Sequence, residues 1–308
     1  MRSHLQQLNK SSLAILKILL PVALVLANSH ALADTLFVSN VGTSSVQDFS
    51  SSGVPSDFAS YQSSGLNAPT GLAFDHAGNL FVANYNNSTI WKFTADGTGT
   101  LFASTGLSAP TGLAFDQAGN LYAANLGNNT IEKFSSAGAP SIFANTGLNS
   151  PTGLAFDSSG RLYVANQGTD TITRFTTGGT PSTFGSTGDY PYGLAFDSAG
   201  NLFAASGTVI LKFSSGGTRT TFASTGLTNP GGLAFDSAGN LYAANHFAGE
   251  TIDRFTPTGV HSTFASSGLS NPSFLTFQPI PEPSAAALMI IGLATFGFRG
   301  MKRSCTRS

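Results

Sequence analysis

Three sets of residues in this 308-residue chain have side chains suited to chemistry. The first is an imidazole with a carboxylate four residues on, His246 and Glu250. Histidine titrates near neutrality and ligates metals, so this pair offers acid–base or metal-assisted chemistry. The second set is neutral and recurrent: the amides Asn84, Asn125, Asn166 and Asn245, and the hydroxyls Thr70, Thr111 and Thr152. Such groups hydrogen-bond sugars or peptide backbone, but nothing in them titrates near neutral pH. The third set is aromatic, Tyr85, Tyr190, Tyr192 and Phe247, rings that can stack on a sugar face or anchor a protein. The chain has one cysteine, Cys305, three residues from its end, which leaves the body without a disulfide, a thiol nucleophile or a cysteine metal site. It also lacks a glycine-rich phosphate loop, a Ser-His-Asp arrangement and a nucleophile elbow.

What positions these residues is an internal repeat. Pro-Thr-Gly-Leu-Ala-Phe-Asp occurs at 69–75, 110–116 and 151–157, with Pro-Tyr-Gly-Leu-Ala-Phe-Asp at 191–197 and Pro-Gly-Gly-Leu-Ala-Phe-Asp at 230–236. Each unit of about 40 residues reads as four short strands, the pattern of a propeller blade. The first strand runs into a turn such as Asp75-His76-Ala77-Gly78-Asn79, where Asp bonds its own turn and Gly supplies positive φ. The second ends at Asn84, Asn125, Asn166 or Asn245, the third at Phe93, Phe134, Phe175, Phe213 or Phe255. In the first strand Leu72 and Phe74 share one sheet face and Ala73 takes the other, so large side chains of one blade seat against small ones of its neighbour.

Counting units predicts an all-β, six-bladed propeller over residues 34–279. Five units are complete. Residues 36–60 supply strands two to four of a sixth, and Pro272–Gln278 supplies a worn first strand. The last blade is therefore closed by N-terminal strands plus one C-terminal strand, which removes the exposed sheet edges. The Gly-hydrophobic-Ala-Phe-Asp-x-x-Gly-Asn core resembles the NHL repeat and its six-bladed relatives across roughly residues 34–278.

Where units agree, structure is the simpler reading: the recurring Asp and Asn are turn and loop hydrogen bonders. Where they differ, function is sought. One end of the ring carries the loops after strand two and before strand one. There Asn84, Asn125, Asn166 and Asn245, with Tyr85, Tyr190, Tyr192, His246 and Phe247, form the candidate binding face, a neutral ring of amides and hydroxyls. The six-bladed gluconolactonase/regucalcin family holds a divalent metal with a Glu, with Asn residues in Pro-Asn-Gly turns and with an Asp at a strand-two end. The matching positions here are Thr70, Thr111 and Thr152, with Asn at the strand ends, so no carboxylate is carried over. Virginiamycin-lyase-like propellers rely on a His/Glu cluster, for which His246 and Glu250 are the loose match. The reading is accordingly no catalytic residue, no metal and no cofactor.

Charge is scarce, at 9% of residues. Seven cations face fifteen carboxylates between Asp34 and Glu282, a formal −8 that disfavours nucleic acid as a partner.

The two ends read as addresses. Residues 1–33 have a basic start, an apolar run from Ile18 to Ala27 and the small-x-small site Ala31-Leu32-Ala33, which predicts a cleaved signal peptide. Residues 280–308 place Pro281-Glu282-Pro283 before the apolar stretch 284–298 and a basic tail containing Arg299, Lys302, Arg303 and Arg307. This three-part tail resembles the PEP-CTERM sorting signal of Gram-negative bacteria. The resemblance implies a transient inner-membrane helix over 284–298, an exosortase-type processing enzyme as partner, and delivery to the cell surface or biofilm matrix. The expectation is an exported, non-catalytic scaffold for exopolysaccharide or envelope protein. The alternative is a metal-dependent lactonase- or lyase-type enzyme using His246 and Glu250.

Overall fold

A computed structural model describes residues 34–279, apart from 62–64 and 247–248. The signal segment with Ala31 and Ala33, the Pro281-Glu282-Pro283 motif, the 284–298 stretch and Phe247 lie outside the described residues. Asp34–Pro279 is one compact unit.

Its strands form six four-stranded antiparallel sheets. Blade 2 shows the pattern: Pro69–Phe74 innermost, then Leu80–Asn84, Thr89–Phe93 and Gly99–Ala103. Blades 3 to 6 repeat it, their inner strands being Pro110–Phe115, Pro151–Phe156, Pro191–Phe196 and Pro230–Phe235. Blade 1 takes its inner strand from Pro272–Phe277 and its other three from Leu36–Asn40, Ser45–Phe49 and Pro55–Ser60. The two ends of the unit thus pair, Leu36 opposite Phe277 and Val38 opposite Leu275. This is the closure read from the sequence.

The turns form for the expected reason. Asp75 Oδ1 accepts from the N–H groups of Ala77 (3.0 Å) and Asn79 (2.8 Å), and Gly78 has a φ of +80°. Only glycine holds that conformation without steric cost.

Six hydrophobic clusters hold the ring, each shared between neighbouring blades. One motif recurs at every seam. The strand-two ring of one blade makes edge-on contacts with the strand-four ring of its own blade and the inner-strand ring of the next. Tyr163 meets Phe184 at 4.9 Å and Phe196 at 5.1 Å; Phe37 meets Phe58 at 5.0 Å and Phe74 at 5.1 Å. Edge-to-face pairs add about 0.5–1.5 kcal/mol each beyond the area they bury. Behind them the strand-three phenylalanines Phe49, Phe93, Phe134, Phe175, Phe213 and Phe255 are wholly buried.

At the hub the inner strands bulge between the Pro and the Leu. The glycine in the bulge is a close approach. A Cβ on Gly153 would lie 2.2 Å from the Tyr192 carbonyl oxygen of the next blade, and one on Gly112 would lie 2.3 Å from that of Thr152. The repeat's Pro-x-Gly is therefore the sequence of a ring whose strands nearly touch at the axis.

Candidate functional site

The candidate face divides into buried clips and an exposed mouth. The asparagines are clips. Asn125 Oδ1 accepts from Ser108 N (3.1 Å), while its Nδ2 donates to the Gly106 carbonyl (2.9 Å) and Thr130 Oγ1 (3.0 Å). Asn84, Asn166 and Asn245 do the same for their blades, and all four are buried. Each pins the loop entering its blade to the end of strand two. The expected ring of ligand-facing amides is thus corrected at these positions: a buried amide keeps all its partners, because losing them is costly.

The threonines also turn inward. Thr70 Oγ1 donates to the Pro110 carbonyl (2.9 Å), Thr111 to that of Pro151 (3.0 Å) and Thr152 to that of Pro191 (3.1 Å). Each hydroxyl stitches its inner strand to the next blade.

The mouth is built by the residue after each asparagine. Val41, Tyr85, Leu126, Gln167 and His246 each donate their backbone N–H to the carbonyl of the residue two before the bulge threonine, or its equivalent, of their own blade, at 3.1–3.3 Å. All five line a cavity of about 440 Å³ on the ring axis, joined by Asn86 and Asn229. Among the described residues its lining contains no Asp, Glu, Lys or Arg. Val41, Leu126, Gln167 and Asn86 were not anticipated from the sequence. The available signal was a position that changes in every unit directly after one that hardly changes.

The floor is aromatic. Tyr192 replaces the bulge threonine of blade 5, and its ring lies 5.2 Å from Phe274 and 5.7 Å from His246. Its hydroxyl is 3.2 Å from Ser273 Oγ of blade 1, and burial pushes that phenol up. Phe274 stands where the other inner strands have the close-approach glycine. Gly231, at the threonine position of blade 6, has no hydroxyl to stitch with. His246 supplies the link instead, its Nδ1 3.1 Å from the Pro272 carbonyl. A carbonyl oxygen only accepts, so Nδ1 carries the proton. Burial lowers the imidazole below its ordinary range, partly opposed by the Pro272 bond.

Of the predicted face, then, Tyr85, Tyr192 and His246 meet at the cavity. Tyr190 is 66% exposed and does not line it, and Glu250 is exposed on the loop beyond. Among the described residues no three His, Cys, Asp or Glu side chains converge. The donor set at the mouth is uncharged, whereas a hard divalent ion is held by charged oxygens. The residues present therefore do not fit the metal of the lactonase-type propellers.

Fold and site define a closed six-bladed propeller with a neutral, aromatic-floored mouth. The propeller is NHL-like: a family model for the NHL repeat matches residues 66–93. No curated protein matches the sequence. Among solved structures, a chain of a nidogen/laminin complex superposes with a TM-score of 0.71 at 18% identity, covering 80% of this chain and 99% of that one. A catalytically inactive virginiamycin B lyase from Staphylococcus aureus, solved with quinupristin, gives 0.61 at 14%, covering 80% and 94%. A gluconolactonase from Xanthomonas campestris gives 0.57 at 20%, covering 67% and 76%. At such identities the likeness is one of fold, which hosts many activities.

Proposed function

We propose that this protein is an exported propeller, sorted to the cell surface or extracellular matrix, whose axial mouth binds an uncharged sugar of an exopolysaccharide without transforming it. The observation that carries the binding reading is the cavity itself: about 440 Å³, free of ionised side chains in its lining, with Tyr85 on the wall and Tyr192 on the floor. A sugar ring stacks on such rings while Asn86, Asn229 and Gln167 offer amides to its hydroxyls. The export reading draws on Ala31-Leu32-Ala33, and the sorting reading on Pro281-Glu282-Pro283 with its apolar and basic followers. An exosortase-type enzyme is the processing partner in this account, and the 284–298 stretch a transient membrane anchor.

A neutral-glycan array, with a pull-down from native envelope, tests the binding reading. Retention of neutral oligosaccharides supports it; inertness in both removes it. Mass spectrometry of the mature termini tests the two addresses, with an N-terminus at Asp34 and a C-terminus near the Pro281-Glu282-Pro283 motif expected.

The rival reading, a lactonase- or lyase-type enzyme, draws on the likeness of fold and on His246 in the cavity. Tight binding of a divalent ion, with turnover lost in His246→Ala, would establish it in place of the scaffold.

A further inference from the structure

The wall of the axial mouth is not even around the ring. In blades 1 to 4 strands two and three are joined by four residues, 41–44, 85–88, 126–129 and 167–170, and in blade 6 by six, 246–251. Blade 5 joins them with two, Gly207 and Thr208. Gly207 holds a φ of +55°, as a two-residue hairpin turn requires. The rim residues Val41, Tyr85, Leu126, Gln167 and His246 each open one of the longer connections, and neither Gly207 nor Thr208 lines the cavity. Among the described residues blade 5 reaches the cavity through Tyr192 alone.

The loop entering blade 5 is short as well. Seven residues separate Phe102 from Pro110 and Phe143 from Pro151, but six separate Phe184 from Pro191. What is missing is the leucine that elsewhere packs into the seam, as Leu107, Leu148, Leu227 and Leu269 do. The loop takes another path in consequence. In the other five blades the residue before the inner-strand proline holds a φ of 46–54°; Tyr190, in that place in blade 5, does not. Ala109 N–H donates to Ser88 Oγ at 3.0 Å and Ser150 N–H to Asn129 Oδ1 at 2.7 Å. The matching acceptor for Tyr190 is Asp170 Oδ1, which is buried without a partner. The short loop is held instead by Ser206 Oγ, which donates to the Asp189 carbonyl, and by Arg219, whose Nη1 donates to the carbonyls of Ser186 (3.1 Å) and Thr187 (2.8 Å).

Two shortened connections in one sector leave a gap in the rim at blade 5, and Tyr190 stands at it. Its counterparts Ala68, Asn229 and Asn271 line the cavity, so the Tyr190 backbone borders the mouth, while its ring lies outside the lining and is 66% exposed. An exposed ring beside an opening is a platform on which a sugar leaving the mouth can stack. Asp189, also exposed, places a carboxylate next to that ring. It accepts from sugar hydroxyls and repels an anionic chain.

We propose that the gap is the exit of a sugar chain: the mouth holds one part of a neutral oligosaccharide, the chain leaves across blade 5, and Tyr190 stacks on a residue outside the mouth. This rests on the sugar-binding reading of the mouth and narrows it, because the ligand becomes an extended neutral chain rather than a free monosaccharide. Tyr190 then determines preference for length, and Tyr85 and Tyr192 determine binding as such.

Isothermal titration of the full chain compares a disaccharide with a hexasaccharide in two neutral series, cellobiose with cellohexaose and maltose with maltohexaose. The expected result is that in one series the longer sugar binds about tenfold or more tighter. Tyr190→Ala should remove most of that ratio with an unchanged Tm, since the ring is exposed. Tyr85→Ala, inside the mouth, should weaken both lengths alike. Replacing Gly207-Thr208 with the four-residue connection 126–129 of blade 3 should close the gap and bring the hexasaccharide down to the affinity of the disaccharide. Equal affinity for the two lengths, or a length ratio that survives in Tyr190→Ala, would overturn the exit and leave the mouth reading standing. Absence of binding in both series would overturn the mouth reading, and the exit with it.

Discussion

The hub of this ring has two halves. In blades 2 to 4 the inner strands follow one rule: Pro, a threonine that stitches to the next blade, then a glycine where backbones nearly touch. In blades 5, 6 and 1 those positions read Tyr192-Gly193, Gly231-Gly232 and Ser273-Phe274. In blade 6 another residue does the displaced job. His246 makes the stitch that Gly231 cannot. Gly231 in turn leaves the space beside His246 open, since a Cβ there would stand 3.5 Å from the His246 Cβ and 2.6 Å from the Ser273 carbonyl oxygen. Tyr192, at the threonine position, lines the mouth, and Phe274, at the glycine position, packs 5.2 Å from its ring. The regular half closes the ring and shares the rim, and the irregular half adds Tyr192 and His246 to the mouth.

The largest effect should come from the regular half. Gly153→Ala forces a methyl group to within 2.2 Å of a neighbouring carbonyl oxygen. Overpacking against rigid backbone should cost about 3 kcal/mol or more, read as a lower urea midpoint. A midpoint within error of wild type would mean that the inner strands have room to separate, and the reading of Pro-x-Gly would go with it.

His246→Ala comes next. It removes the stitch to Pro272 and leaves a gap beside Tyr192, for an expected loss of about 2 kcal/mol. Thr152→Val removes a stitch at nearly constant volume and should cost about 1 kcal/mol. If the alanine variant proved the milder of the two, His246 would not be the replacement stitch. Both values come from the same urea titrations.

The pH dependence should be smaller and specific to the irregular half. Burial holds the His246 imidazole below its ordinary 6.5. As pH falls, the unfolded chain binds that proton before the folded chain does. Stability should therefore decline from about pH 6.5 downward, until the folded-state value is reached. His246→Gln should flatten that part of the profile of urea midpoint against pH. A variant profile parallel to wild type would show that the imidazole is not buried in solution.

Most of the fold was legible in the sequence because a repeat repeats its physics. The spacing of Gly-Leu-Ala-Phe-Asp marked the blades, and the unmatched fragments at 36–60 and 272–277 marked the closure. The site was half legible. Tyr85, Tyr192 and His246 stood out as breaks in the pattern. The asparagines were placed on the correct loops but with the wrong exposure, because hydrogen-bonding capacity does not say whether the partner is a ligand or the chain's own backbone. Phe274 read as wear in a degenerate strand. Only the structure shows that the ring in place of glycine packs against Tyr192. Val41, Leu126 and Gln167 carry no motif, and their role comes from following an asparagine whose loop delivers them to the rim.

The most direct test of the account is the affinity of the full chain for a neutral oligosaccharide selected from the array, compared with Tyr192→Thr and Tyr85→Ala. Tyr85 is exposed, so Tyr85→Ala should cost no more than about 1 kcal/mol of stability. Tyr192→Thr opens a gap beside Phe274 and His246 and should cost about 2 kcal/mol or more. Affinities are therefore compared in buffer without denaturant, where both variants are folded. The account predicts that each loses about tenfold or more in affinity, as befits an aromatic contact in a central pocket. Binding left intact in both variants would contradict it.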